Sequence, residues 1–331
     1  MPHRITMLAL EGCFASNVVG TIDMLWTANQ VATRLDPACE PVFAWQVLSP
    51  GGVPVSASNG YRMAVDGDID RLPPGKVVVI PAFGSPEADR HFQAVRSHAT
   101  LLPWLRSQYE SGTILAATCS GSFLLAESGL LDGRAATTSW WLAAAFTDRY
   151  PKVHLDASSM LTESDRLICS GTGMSHLDLA LHLIDRLAGR ELSRACAKYA
   201  VLETARRSQA ACVVLNHARC YDPLVVKAEK WIKRNLSHAI ELDDIAAEVC
   251  VSPRTLTRRF KESTGDSPHV FVQKIRVELS KALLENTQLR MGAILARIGY
   301  TDDSAFRRLF KKYTGLSPRE YRERFGVQSR R

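Results

Sequence analysis

The sequence predicts two domains of different class. An α/β domain on a mainly parallel sheet occupies residues 1–210, and an all-α double helix-turn-helix domain occupies 222–331, with a connector at 211–221. Three observations carry this reading. Short apolar runs alternate with helical patterns as far as about Arg207, a nine-residue block near position 260 returns fifty residues later, and the positive charge is confined to the second part. Residues 1–220 hold 19 Lys/Arg against 20 Asp/Glu, whereas 221–331 hold 22 against 14, so of the formal net charge of +7 the tail carries +8 and the front −1.

Several classes are disfavoured at once. No apolar run approaches the roughly 18 residues of a membrane span, and the N-terminal segment is interrupted by Glu11 and Asn17, which does not suit a signal peptide. A cytoplasmic protein with no membrane partner is expected. Eight scattered cysteines form no C-x-x-C pair, which fits reduced thiols and predicts neither disulfides nor a metal site. No cofactor is expected. A localised basic field suits a polyanion such as nucleic acid or an anionic membrane.

The repeat decides between those partners. Residues 260–268 (FKESTGDSP) recur as 310–318 (FKKYTGLSP). Upstream, Ile245 and Val251 match Ile294 and Tyr300 at an offset of forty-nine, so the second copy holds one extra residue in its turn or at the start of the next helix. In the first copy (about 242–263), a helix over 242–249 turns Ile245, Ala246 and Val249 inward, Cys250 and Val251 fill the turn, Ser252 caps, and Pro253 opens the second helix. Leu256 and Phe260, four apart, point to the core and leave Arg254, Thr255, Thr257 and Arg258 outward. In the second copy (about 291–313), Ile294, Leu295 and Ile298 form the support helix, Gly299 sits in the turn, and Phe306 with Phe310 anchors a helix exposing Ser304, Ala305, Arg307 and Arg308. Between them Ser267 and Pro268 start a helix to about 285, roughly 27 Å at about 1.5 Å per residue, close to one duplex turn.

These residues resemble the AraC/XylS family of transcription regulators over about 100 residues. The likeness rests on Ile245-Ala246, residues 252–256 (SPRTL), Arg258-Arg259-Phe260-Lys261, Gly265 and Pro268, then Gly299-Tyr300, Phe306-Arg307-Arg308, Phe310-Lys311, Gly315 and Ser317-Pro318. Leu295 departs from the family's usual Ala. The resemblance implies double-stranded promoter DNA as partner, base reading by the outward residues named above, and phosphate contacts from Lys261 and Lys311.

In the front domain, strands are predicted at 5–10, 43–48, 77–80 and 113–117, and helices at 101–110, 122–128 and 176–188. Residues 113–122 (TILAATCSGS) read as a strand running into Cys119 and a helix leaving it, a sharp turn that places the thiol exposed at a helix N-terminus, where its pKa falls. The segment resembles the elbow of the class I glutamine-amidotransferase-like, intracellular-protease-like superfamily, whose domain is flavodoxin-like. Enzymes of that superfamily pair the Cys with a downstream His. Related regulators read Thr-Thr-His-Trp, and this chain reads Thr137-Thr138-Ser139-Trp140. No base is evident and no enzyme is expected. Cys119 is open to three readings: nucleophile, pocket wall or inherited scaffold. Glu11 is a pocket acid or a solvated strand end, and His176 is a substitute base or a structural residue.

The two domains together resemble GlxA-type regulators of the AraC/XylS family, over nearly the whole chain. The resemblance implies an effector pocket around Cys119 with Glu11, Phe14, Phe83, Ser139, Trp140 and Thr172 as walls, and Trp140 with Phe83 holding a cationic methylammonium. Paired Trp140 and Trp141 equally suit a core. The chain is therefore expected to be a sequence-specific regulator, an activator of a catabolic operon that answers a small amino-acid-derived or quaternary-amine metabolite, acts as a homodimer and works with RNA polymerase. The rivals are a Cys-dependent hydrolase or glyoxalase-like enzyme with a DNA-binding tail, and a nonspecific architectural binder.

Overall fold

A computed structural model describes residues 1–202, 208–212 and 222–326. It divides into two compact units, Met1–Gln209 and Ala210–Arg331. The expected connector at 211–221 lies, apart from 211 and 212, outside the described residues.

The first unit is built on a seven-stranded sheet. Its strands are β1 (His3–Leu8), β2 (Phe43–Ser49), β3 (Gly67–Asp68), β4 (Val77–Ile80), β5 (Ile114–Thr118), β6 (Leu161–Ser164) and β7 (Leu167–Ser170). The spatial order is β6-β7-β5-β4-β1-β2-β3, and every pairing is parallel except β6 with β7. The central strands β4, β5 and β7 are buried at every position. Such strands need cover on both faces, so their side chains are apolar or small throughout rather than alternating. Two helical groups supply the cover. Helices α1 (Ala15–Leu35), α6 (His176–Ala188) and α7 (Arg190–Tyr199) pack together, as do α2 (Ala88–Ser97), α3 (Leu101–Glu110) and α4 (Ser122–Glu127); α5 (Ala143–Arg149) follows the elbow region.

The predicted strands are found with shifts of one or two residues. The first ends at Leu8, and Ala9 and Leu10 continue as buried loop. Helix α1, the longest described helix at 21 residues, is not expected from periodicity. Its inward face carries Asn17 and Thr21 among the apolar residues, and both are fully buried, with Thr21 Oγ1 donating to Asn17 O at 2.7 Å. Those two polar residues interrupt the apolar period.

The second unit contains α8 (Pro223–Asn235), α9 (Leu242–Glu248), α10 (Pro253–Thr264), α11 (Pro268–Asn286), α12 (Met291–Arg297), α13 (Asp303–Thr314) and α14 (Pro318–Phe325). The two copies follow one plan. Ser252 accepts from Thr255 N at the start of α10 and Asp302 from Ala305 N at the start of α13, and both helices end on a left-handed glycine, Gly265 (φ 74°) and Gly315 (φ 75°). The extra residue of the second copy lies in the turn. Four residues separate α9 from α10 and five separate α12 from α13. Each copy has its own core, Leu256 and Phe260 in one and Phe306 and Phe310 in the other, all fully buried. Helix α11 serves both, giving Phe271, Val272 and Ile275 to the first and Val277 and Leu284 to the second.

The turns differ in one instructive place. Cys250 holds φ 57° where the second copy has Gly299 at φ 68°. A left-handed backbone strains any residue with a Cβ. Cys250→Gly should therefore raise stability by about 1 kcal/mol. Gly299→Ala should lower it by about 3 kcal/mol, because its Cβ would lie 2.2 Å from Leu236 O. Denaturant unfolding of the full chain tests both, and shifts of the same sign would refute the account of the turn.

Candidate functional site

Two surfaces meet the description of a functional site, and they are built differently. The first is the pair of outward helix faces. On α10, Leu256 and Phe260 fix the inward edge, which leaves Arg254 and Arg258 exposed and Thr255 and Thr257 half-buried. On α13, Phe306 and Phe310 do the same for exposed Ser304, Arg307 and Arg308 and half-buried Ala305. The hydroxyls are partly committed, since Thr257 Oγ1 donates to Pro253 O at 2.9 Å and Thr255 Oγ1 lies 2.9 Å from Ser252 Oγ.

Two of the four arginines are held by carboxylates one turn away. Arg258 Nη1 meets Glu262 Oε1 at 2.9 Å, and Arg307 clasps Asp303 with Nε–Oδ1 at 2.8 Å and Nη2–Oδ2 at 2.9 Å. Exposed pairs of this kind contribute about 0–1 kcal/mol, so they orient the guanidinium and release it cheaply to a stronger anion. Arg254 and Arg308 have no ion-pair partner among the described residues. Lys261 Nζ donates to Gly265 O at 2.7 Å and so also closes the end of α10, whereas Lys311 is exposed on α13.

One charged residue in this stretch was missed as a structural part. Arg259 reaches back to Asp222, with Nη2–Oδ1 at 2.8 Å, and the same carboxylate accepts from Leu224 N to cap α8. The pairing holds Asp222 below the usual carboxylate range, through the hydrogen bond from Arg259 first. The sequence signal was available: an Asp directly before a Pro that opens a helix.

The second surface is the cysteine elbow. Strand β5 runs into Cys119, which adopts φ 55°, and a short turn leads to α4. Gly121 is required there because a Cβ would come within 2.7 Å of Pro81 O and 2.9 Å of Ile80 O on the neighbouring strand and its exit. Ser122 Oγ donates to Cys119 O at 2.8 Å, and Ser120 Oγ donates to Phe83 O at 2.8 Å. The expectation of an exposed, acidic thiol fails. Cys119 is only 4% exposed and its Sγ sits 2.7 Å from Ser139 Oγ. Burial pushes its pKa up, and the bonds from Ser139 and Ser120 offset only part of that. The helix that leaves the turn has six residues, three of which, Phe123, Leu124 and Leu125, are fully buried.

The predicted pocket walls are only partly brought together. Cys119 and Ser139 touch, and Phe14, 41% exposed, lies beside the loop that holds Thr172. Glu11 is exposed and its Oε2 accepts from Ser56 N at 3.0 Å on a neighbouring hairpin instead of turning to Cys119. The methylammonium cage of Trp140 with Phe83 is not formed. Phe83 is 1% exposed with His91 and His98 against its ring, and Trp140 packs edge-on to Trp141. His176 turns its Nδ1 to Gly173 O at 3.0 Å and to Asn17 Nδ2 at 3.3 Å, and its Nε2 faces Gly20 on α1.

Asn17 is the residue that sequence reasoning overlooked here. Its Oδ1 accepts from Ala82 N at 2.9 Å and its Nδ2 donates to Gly173 O at 2.7 Å. It ties the loops after β4 and β7 to the start of α1. An Asn two residues after an unassigned helix start carries no pattern by itself.

Comparison with known proteins agrees with this architecture. The DJ-1/PfpI family profile matches residues 5–186, and a helix-turn-helix domain profile matches 245–324. The HTH-type transcriptional regulator GbdR of Pseudomonas aeruginosa is 30% identical over 97% of this chain and 84% of its own length. CdhR of the same species is 28% identical over 97% and 92%, and GlxA of Rhizobium meliloti is 26% identical over 98% and 97%. Among solved structures, Drosophila melanogaster DJ-1beta aligns with a TM-score of 0.50 at 18% identity over 61% of this chain and all of that one. A ThiJ/PfpI family protein from Pseudomonas syringae gives 0.50 at 18% over 61% and 75%. These likenesses show the fold of the first unit. The chain belongs to the DJ-1/PfpI family and, with its AraC-type helix-turn-helix domain, is a DNA-binding transcription regulator.

Two measurements follow from the buried groups. At pH 8 a maleimide should modify exposed Cys250 readily and leave Cys119 unmodified until the protein unfolds, as read by peptide mass mapping; equal labelling would refute the buried-thiol account. His91 is fully buried, neither ring nitrogen has a partner, and desolvation lowers its pKa to about 4. The unfolded chain takes up the proton first, so stability present above pH 6.5 is lost as pH falls towards 4, by roughly 3 kcal/mol at most. His91→Phe should flatten that slope.

Proposed function

We propose that the α/β unit senses a small amino-acid-derived or quaternary-amine metabolite and, through the geometry of a homodimer, governs how the double helix-turn-helix meets promoter half-sites. The protein would act in the cytoplasm as an activator of a catabolic operon, in contact with RNA polymerase. The observation that carries the reading is the repetition of one exposed, basic helix face on two separately cored units that share α11. With 19 residues, α11 spans about 28 Å, which suits two reading heads on successive major-groove segments of a bent duplex. Arg254, Thr255, Thr257 and Arg258 read one segment and Ser304, Ala305, Arg307 and Arg308 the other, while Lys261 and Lys311 hold phosphates.

The elbow supports a sensing role over catalysis. A thiol that is buried, raised in pKa and bonded to Ser139 has neither the ionisation nor the base that a nucleophile needs. Turnover abolished by Cys119→Ser would favour the enzyme instead. No described helix is long and apolar enough to cross a membrane.

Arg258→Ala and Arg308→Ala should each cost about 1–3 kcal/mol at the cognate operator and relax base preference at one position. Lys311→Ala should weaken all sequences alike and reduce the salt slope by about 1. Binding to operator and scrambled duplexes across a salt series checks this. Uniform loss for all three variants would overturn the assignment of faces, and footprint protection spread evenly over random sequence would favour an architectural binder.

A further inference from the structure

Gln209 is the last residue of the first unit, and Ala210 begins the second. Its side chain is fully buried beside the cysteine elbow. The segment is held by backbone as well as side chain. Gln209 N donates to Ser158 O at 2.8 Å, Ser208 forms a bridge with Ser159, and Ser208 Oγ donates to Ser158 O at 2.9 Å.

The carboxamide nitrogen faces four oxygens: Ala157 O at 2.8 Å, Thr138 O at 3.0 Å, and Thr137 Oγ1 and Ser159 O at 3.4 Å. An amide has two N–H groups, so acceptors outnumber donors in this cage. At the other end Gln209 Oε1 is buried with no hydrogen-bond partner. Gly171 makes room for it, since a Cβ there would lie 2.7 Å from Oε1 and 2.8 Å from Cδ. Gln209 is thus an imperfect occupant of a site rich in carbonyl dipoles, because a buried acceptor without a donor is costly.

The cage adjoins the elbow directly. Thr138 gives its carbonyl to the cage and its hydroxyl to Cys119 O at 3.2 Å, and the next residue, Ser139, meets the thiol. We infer that the oxygen cage holding Gln209 is the subsite for the nitrogen of the effector, that it takes a primary ammonium or primary amide group, and that effector and Gln209 compete for it. This rests on the effector reading above and narrows it. A primary ammonium brings three N–H donors and a positive charge to the carbonyls, whereas a quaternary ammonium brings no donor at all. Displacement of Gln209 frees the residue at which the first unit gives way to the second, so occupancy is passed on through the chain itself.

The test uses the full chain with glycinamide and tetramethylammonium as probes, titration calorimetry for affinity, and hydrogen exchange of a peptide containing Ser208 and Gln209. Glycinamide should bind and speed exchange at Gln209, and tetramethylammonium should do neither. Gln209→Ala should tighten glycinamide binding by about fivefold or more, since the competing occupant is gone, and give fast exchange without ligand. Gly171→Ala, which crowds the carboxamide from the other side, should reproduce the fast exchange. The inference is overturned if glycinamide binds neither protein, or binds both equally with exchange at Gln209 unchanged. Promoter affinity reports separately on the effector reading. A metabolite that alters promoter binding without moving Gln209 sinks the cage alone, and competition at the cage with indifferent promoter binding sinks the effector role alone.

Discussion

Where parallel strands end, the backbone must turn over inside the protein, and each turn needs hydrogen-bond partners out of reach of water. At the elbow end of this sheet much of that burden falls on short side chains. The Asn17 carboxamide takes one N–H and gives one back to loops 65 and 156 residues away in sequence. Ser120, Ser122, Thr138 and Gln209 complete the set from inside the same end. Because these groups are buried, loss of any one strands a partner, and the cost of a stranded polar group exceeds the gain from an ordinary bond. The left-handed Cys119 and the close approach at Gly121 persist because this network leaves no alternative.

The helical unit solves a different problem. A single helix-turn-helix has too little apolar surface to be rigid alone. Here two are cored on opposite ends of one helix, and each gains a further helix, α8 or α14, to close its open side. Arg259 shows how far the scaffold reaches into the basic stretch. It belongs to the fold through Asp222, although its neighbours Arg258 and Lys261 face solvent.

The helical unit could be read from the chain because its signals are local: caps, Pro at the first helical position, Gly at the end, and a repeat that checks each against its counterpart. The strands could be read because β4 is apolar throughout and β5 is apolar up to its final Thr118. What could not be read is carried by long-range contacts between polar groups. Helix α1 hides behind Asn17 and Thr21, whose burial depends on loops from elsewhere. A strand-to-helix turn suggests an accessible Cys119, but its burial against Ser139, twenty residues on, is fixed only by tertiary packing. Phe83, a pocket wall by family resemblance, is core here. Gln209, at the edge of the unit, carried no motif.

The double use of α11 also constrains how such a protein can diverge. Each residue added to a helix turns everything beyond it by about 100° and carries it about 1.5 Å onward. Loops elsewhere in the unit tolerate drift in length, as the five-residue turn of the second copy against four in the first illustrates. In α11 the same change would rotate one half relative to the other like a crank. Its 19 residues therefore act as a ruler and a protractor together: exposed side chains on α10 and α13 can change without disturbing the spacing of the two faces, but the length of the shaft between them cannot.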